Sequence, residues 1–116
     1  GRGSIALNSG GIEGQIYVES GWSPESCTLK LVVTNNNPVP VSNFSAQVAV
    51  TKAFSIELKP ASSMSLQGSG DSTITQMMVV KRLTPGGQLR MRLRASYELN
   101  GAQRTIDGEC SKFNGL

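Results

Sequence analysis

Arg90, Arg92 and Arg94 are separated by single apolar residues in the run Leu-Arg-Met-Arg-Leu-Arg-Ala-Ser-Tyr-Glu-Leu from Leu89 to Leu99. Side chains two apart on a strand point the same way at roughly 6.8 Å spacing, so the three guanidinium groups form a stripe about 14 Å long. Three like charges in a row repel. Such a face is therefore open to water, paired with acids on neighbouring strands, or turned towards an acidic partner. As a solvated face with surface ion pairs it contributes little, ~0–1 kcal/mol per pair. Arginine also has a long apolar stem beneath its planar head, so parallel arginines can wall a shallow groove with an aliphatic floor and a rim that attracts carboxylates. That groove suits an acidic peptide with one aromatic anchor. Burial of an inserted Phe contributes ~1.5–3 kcal/mol, while the carboxylates mainly raise the on-rate and set the register.

Other chemistries find little support in the residues. The chain has no histidine, so the commonest general base is missing. Gly68-Ser69-Gly70 lacks the Lys-Ser/Thr of a phosphate loop and opens no helical pattern, so it reads as a connector. Asp107 and Glu109 read as surface carboxylates or partners of the arginines rather than an acid–base pair. Binding of single-stranded nucleic acid calls for exposed aromatics beside the charges, yet Tyr97 falls on the face opposite the arginines, and Phe44 and Phe54 sit in apolar sets. Cys27 and Cys110 show no CxxC spacing and have no histidine to join them, which disfavours zinc. No metal or other cofactor is expected.

The elements that must carry the stripe read as strands. Cys27 to Thr34 alternates with Leu29, Leu31 and Val33 on one face and stops at Asn35-Asn36-Asn37-Pro38. Phe44, Ala46, Val48 and Val50 share a face, as do Phe54, Ile56 and Leu58 before Pro60. Thr73 to Val80 is rich in β-formers, and Thr84-Pro85-Gly86-Gly87 is a turn. On the arginine strand, Leu89, Met91, Leu93, Ala95, Tyr97 and Leu99 oppose the charged set, and Asn100-Gly101 turns the chain into Ala102 to Ile106. Gly11 to Val18 and Ser62 to Leu66 are further short strand candidates, and no helical stripe has caps at both ends. Seven or eight short strands with regular turn signals predict two antiparallel sheets packed face to face, with a barrel as the less favoured closure.

The length of 116 residues suits one domain with a core of its own, and no segment is apolar enough to span a bilayer as a helix. Gly1-Arg2-Gly3-Ser4 resembles a vector remnant, which leaves residues 5–116 as the domain. The net charge of +3 becomes +2 without Arg2, too mild a balance to indicate nucleic acid or a membrane surface by itself.

Ser72-Thr73-Ile74-Thr75-Gln76, the spacing to Pro85, and Gln88-Leu89-Arg90-Met91-Arg92-Leu93-Arg94 resemble the corresponding stretch of the γ-adaptin ear. The resemblance extends upstream through Asn43-Phe44 and Ala49-Val50-Thr51-Lys52-Ala53-Phe54 to Leu58, and downstream through Tyr97 and Gly101 to Glu109 and Phe113. Thr51 stands where the animal pattern has a proline, and the loop from Ser65 to Ser72 and the segment around Trp22 differ from it. Ears of this family occur in the γ subunit of a clathrin adaptor complex and in the monomeric Golgi-localised, γ-ear-containing, ARF-binding adaptors. The resemblance implies an immunoglobulin-like β-sandwich without catalytic activity. It also implies recruitment of accessory proteins such as γ-synergin, rabaptin and epsin-related proteins through short motifs: an aromatic or bulky apolar residue, Gly, Pro or an acid, then an apolar residue.

Carried over position by position, the resemblance implies a peptide site formed by Ala49, Lys52, Leu58, Arg90, Arg92, Arg94 and Glu109. Ala49 and Leu58 would line the apolar pocket, the basic side chains would cover the anchor and meet acidic flanks, and Glu109 would orient an arginine or bond the peptide backbone. The implied setting is cytoplasmic, peripheral at the trans-Golgi network and endosomes, for a monomeric domain that does not enter the membrane. The alternative from another class is a secreted immunoglobulin-like adhesion module with a Cys27–Cys110 disulfide. Such domains place their core Trp between the cysteines, however, and Trp22 precedes both, which favours reduced thiols.

Overall fold

The computed structural model describes residues 2–116. Eight strands form two antiparallel sheets: β1 (Ser4–Ser9), β2 (Ile12–Ser20), β3 (Ser26–Asn35), β4 (Val41–Val50), β5 (Phe54–Leu58), β6 (Thr73–Arg82), β7 (Met91–Leu99) and β8 (Ala102–Cys110). One sheet has the order β1-β2-β3-β6-β5 and the other the order β4-β7-β8. This is the expected all-β immunoglobulin-like sandwich, with eight strands.

Alternation decides which faces meet. On β3, Cys27, Leu29, Leu31 and Val33 are buried, opposite Val80, Met78, Gln76 and Ile74 of β6. From the other sheet, Met91, Leu93, Ala95 and Tyr97 of β7 close the core against them. Each such Leu removed from water contributes ~1.5–3 kcal/mol, so these two strands supply much of the driving force. The same alternation leaves Arg92 and Arg94 on the outer face of β7.

Two local devices set the geometry of the three-stranded sheet. At Asn100-Gly101 both residues have positive φ, 51° and 76°, the backbone of a two-residue hairpin turn that holds β7 and β8 in register from Leu99↔Ala102 to Met91↔Cys110. In β4, Asn43 has φ 53° and the register against β7 shifts between Ser42 and Ser45. This bulge separates the buried Val41 and Phe44 by three residues rather than two, and Phe44 stacks on Tyr97 with centroids 6.3 Å apart.

Several boundaries differ from the sequence reading. Ser62–Leu66 is not a strand: Leu66 makes a single bridge to Val41, and Ser63 Oγ accepts a bond from the Ser65 amide, a local contact that competes with regular pairing. The strand expected over Ala102 to Ile106 continues to Cys110, because pairing with β7 continues. The one expected over Leu89 to Leu99 begins at Met91, leaving Leu89 buried and Arg90 just outside. Ser4, set aside with the first four residues, opens β1; it is buried and its Oγ accepts a bond from the Asn114 amide at 2.9 Å.

Candidate functional site

Register across the three-stranded sheet brings distant residues into rows. Ala49, Arg92 and Glu109 form one row, and Gln47, Arg94 and Asp107 form the next. Their side chains share the outer face and, with Val48, Leu93 and Gly108, line an open groove of about 730 Å³. The small Ala49 beside Arg92 leaves space there, while the arginine stems supply apolar walls.

The charges in the groove are internally matched. Arg94 Nε donates to Asp107 Oδ1 at 2.8 Å, and Arg92 Nε lies 3.5 Å from Glu109 Oε1. The hydrogen bond from Arg94, with some help from its charge, holds the Asp107 carboxyl below the usual carboxylate range, and the same contact raises the Arg94 guanidinium. The Arg92 and Glu109 side chains remain 83% and 75% exposed, so water competes fully for that pair. Arg94 is thus the more firmly held cation, and Arg92 the freer one to meet an incoming carboxylate. The carboxylates keep the arginines extended over the sheet and limit their mutual repulsion.

Of the residues implied by the resemblance, four come together in the groove: Ala49, Arg92, Arg94 and Glu109. Lys52 and Arg90 are exposed and sit beyond one end of it. The link between them is Thr51. Its amide donates to the Arg90 carbonyl at 3.2 Å, its hydroxyl donates to the Gln88 carbonyl at 2.9 Å, and the Arg90 amide donates to that hydroxyl at 3.4 Å. A proline in its place would supply neither the N–H nor the hydroxyl. Leu58 lies apart: it ends β5 in the other sheet, opposite Met78, and packs half-buried against the core. β5 touches β4 across the two sheets, and Leu58 is not in the groove's lining.

Gln47 and Val48 were not anticipated. Nothing in their types marks them, and they enter only through the β4–β7 register. The part expected of Asp107, as a partner of the arginines, is what the structure shows. Cys27 and Cys110 are both free and buried, so the bond that the adhesion-module alternative requires is not formed. Burial pushes the Cys27 thiol up to about 11, against a smaller opposing effect of Arg82, and raises Cys110 likewise.

The sequence profile described as the adaptin C-terminal domain matches residues 5–114. The AP-1 complex subunit gamma-1 of Arabidopsis thaliana is 36% identical over 90 residues, covering 77% of this chain and 10% of that protein. The AP-1 complex subunit gamma of Dictyostelium discoideum is 31% identical over 74 residues, 63% of this chain and 8% of its own length. The chain therefore spans about a tenth of these relatives. Among solved structures, the GAE domain of GGA2p from Saccharomyces cerevisiae superposes with a TM-score of 0.85 at 23% identity, covering 97% of this chain and 99% of that one. The yeast GGA1 GAE domain follows at 0.81 and 22%, covering 93% and 96%. Their fold is the sandwich described above. With the family profile spanning nearly the whole chain and γ subunits among its relatives, the chain belongs to the adaptin C-terminal domain family as a γ-adaptin ear.

Proposed function

We propose that this ear is the peptide-binding appendage of a clathrin adaptor and takes short acidic motifs with an aromatic or bulky apolar anchor in the β4-β7-β8 groove. One observation carries the reading: a small residue, Ala49, lies in register beside Arg92 on an open, arginine-walled face. The anchor would rest over Ala49 against the stems of Arg92 and Arg94, and Glu109 would steer Arg92 or accept a peptide N–H. Lys52 and Arg90, beyond the groove's end, would attract acidic flanking residues. Leu58 would act indirectly, by supporting β4 through the β5 edge.

Burial of one Phe at ~1.5–3 kcal/mol, plus a few hydrogen bonds and after the cost of association, gives single-motif affinities in the micromolar to millimolar range. Such ligands serve a coat in which adaptor and partner are both concentrated, because a second contact then becomes intramolecular. The corresponding biology is recruitment of accessory proteins, of the γ-synergin, rabaptin and epsin-related kind, to clathrin-coated carriers at the trans-Golgi network and endosomes. The domain would work from the cytoplasmic side, as a monomer, by binding and not by catalysis.

Calorimetric titration with an acidic peptide containing Phe-Gly-Pro-Leu, on wild type and on Arg92→Ala, tests this, with circular dichroism to show that the variant folds. Binding by wild type that weakens at least tenfold in Arg92→Ala supports the groove. A folded wild type that binds neither this peptide nor its Phe-Gly-Asp-Leu counterpart returns the arginine stripe to a solvated surface.

A further inference from the structure

A second recess lies away from the groove, where the chain after β2 crosses the end of the sandwich. It encloses about 190 Å³ between Trp22, Phe54, Arg82, Leu89, Ser111 and Phe113. Trp22 and Phe54 stack with centroids 6.0 Å apart, and the Arg82 guanidinium carbon lies 4.5 Å from the indole centroid and 5.8 Å from the Phe54 centroid. The backbone fixes this arrangement, since the Arg82 amide donates to the Glu25 carbonyl at 2.7 Å and the Leu83 amide to the Ala53 carbonyl at 2.7 Å.

Arg82 has no carboxylate partner among the described residues, and unlike the exposed unpaired cations such as Lys52 and Arg90 it is half-buried. Its Nε is sealed from water and bonds to no acceptor. Glu25, whose backbone carbonyl pairs with the Arg82 amide, has an exposed side chain that forms no ion pair with a described cation. The sealed Nε is out of a ligand's reach, so an anion entering the open recess would meet the terminal nitrogens of the guanidinium, which form no hydrogen bond among the described residues. The aromatic planes dictate its shape: they favour a flat, partly apolar group over a compact hydrated ion. Leu116, 36% exposed in the lining of the recess, extends the apolar surface.

We infer that this recess is a second docking site, which takes the carboxylate of an Asp or Glu side chain in an extended partner segment while an adjacent aliphatic residue packs on Leu116 and Phe113. The site is independent of the β4-β7-β8 groove. A partner with two spaced motifs could hold both surfaces of one ear at once, which raises avidity without a second ear.

Trp22 is the only tryptophan in the chain, so its fluorescence reports on this recess alone. The probe is the blocked peptide Gly-Glu-Leu-Asp-Gly, which carries no aromatic anchor for the groove, compared with its neutral form Gly-Gln-Leu-Asn-Gly. Wild type should show a saturable change in Trp22 emission, with half-saturation below about 5 mM. The neutral peptide and Arg82→Gln should each be at least tenfold weaker. Arg82→Lys, which keeps the charge but not the planar fork, should fall between. The double variant R92A/R94A should match wild type within twofold. Should Arg82→Gln fail to fold, the neutral peptide and Arg82→Lys decide. The inference is overturned by the absence of a saturable change in folded wild type, by equal response to the neutral peptide, or by loss of the response in R92A/R94A.

Discussion

Gly108 is the position at which a single methyl group tests the architecture of the site most severely. It lies on β8 between the groove carboxylates Asp107 and Glu109, with its α-carbon turned inward against β1. A Cβ built there overlaps the Ala6 carbonyl oxygen and comes within 2.9 Å of the Ala6 carbonyl carbon and 3.0 Å of Leu7 Cδ2. The obstruction is backbone, so no side-chain rotation relieves it: β1 and β8 must separate. Overpacking costs ~1–3 kcal/mol, and a backbone obstacle places Gly108→Ala towards the upper end, about 2–3 kcal/mol. For a domain of this size each kcal/mol lowers Tm by roughly 3–5 °C, so the expected loss is about 6–15 °C. Gly101→Ala is the control: a Cβ there meets nothing within 4 Å, and only its positive φ of 76° is penalised. That penalty is about 1–2 kcal/mol. Thermal unfolding followed by circular dichroism reads both. A Gly108→Ala domain within 2 °C of wild type, or no less stable than Gly101→Ala, would refute the close approach of β1 to β8 behind the groove carboxylates.

Further outcomes follow from the same geometry. Phe44→Ala removes the ring that the β4 bulge stacks on Tyr97 and should cost ~3–5 kcal/mol in urea unfolding. Thr51→Val deletes a hydroxyl that bonds Gln88 and Arg90 and should cost ~0.5–1.5 kcal/mol while disturbing the amide resonance of Arg90. Asp107 should titrate below the ordinary value of 3.8, and Arg94→Ala should return it there in a carboxyl NMR titration. Because its folded value is lowered, its contribution to stability is present above the unfolded value and lost as pH falls through the folded one. For Cys27, raised from 9.0 to about 11, the sign reverses: between these values the unfolded chain releases the proton first, so stability falls as pH rises. A thiol reagent at pH 8 should label the native domain slowly and release two equivalents promptly in denaturant.

What the sequence made legible was what alternation encodes. The buried faces of β3 and β7 were read correctly, to within one or two residues at the strand ends, because a strand with one buried face writes its period into its apolar positions, and Leu29 and Met91 obey it. The bulge at Asn43 was not legible, since a single residue in the left-handed region breaks the period without a unique signal. β1 was missed because Ser4–Ser9 is half polar and its burial depends on β8 lying against it. For the groove, Arg92, Arg94, Ala49 and Glu109 were named in advance, yet the rows that unite them exist only through the register of three strands. Leu58 shows the limit most plainly: nine residues from Ala49, it crosses to the other sheet at β5, a step that the local pattern does not record. Trp22 and Arg82, far apart in sequence, meet only in the folded chain.

The most direct test of the peptide-groove reading is an amide chemical-shift titration of the labelled domain with the acidic Phe-Gly-Pro-Leu peptide. The expected saturable shifts cluster at Gln47 to Ala49, Arg92 to Arg94 and Asp107 to Glu109, with smaller ones at Lys52 and Arg90. Shifts centred on any other surface, or none at peptide concentrations near 1 mM, would contradict a site on the face of β4, β7 and β8.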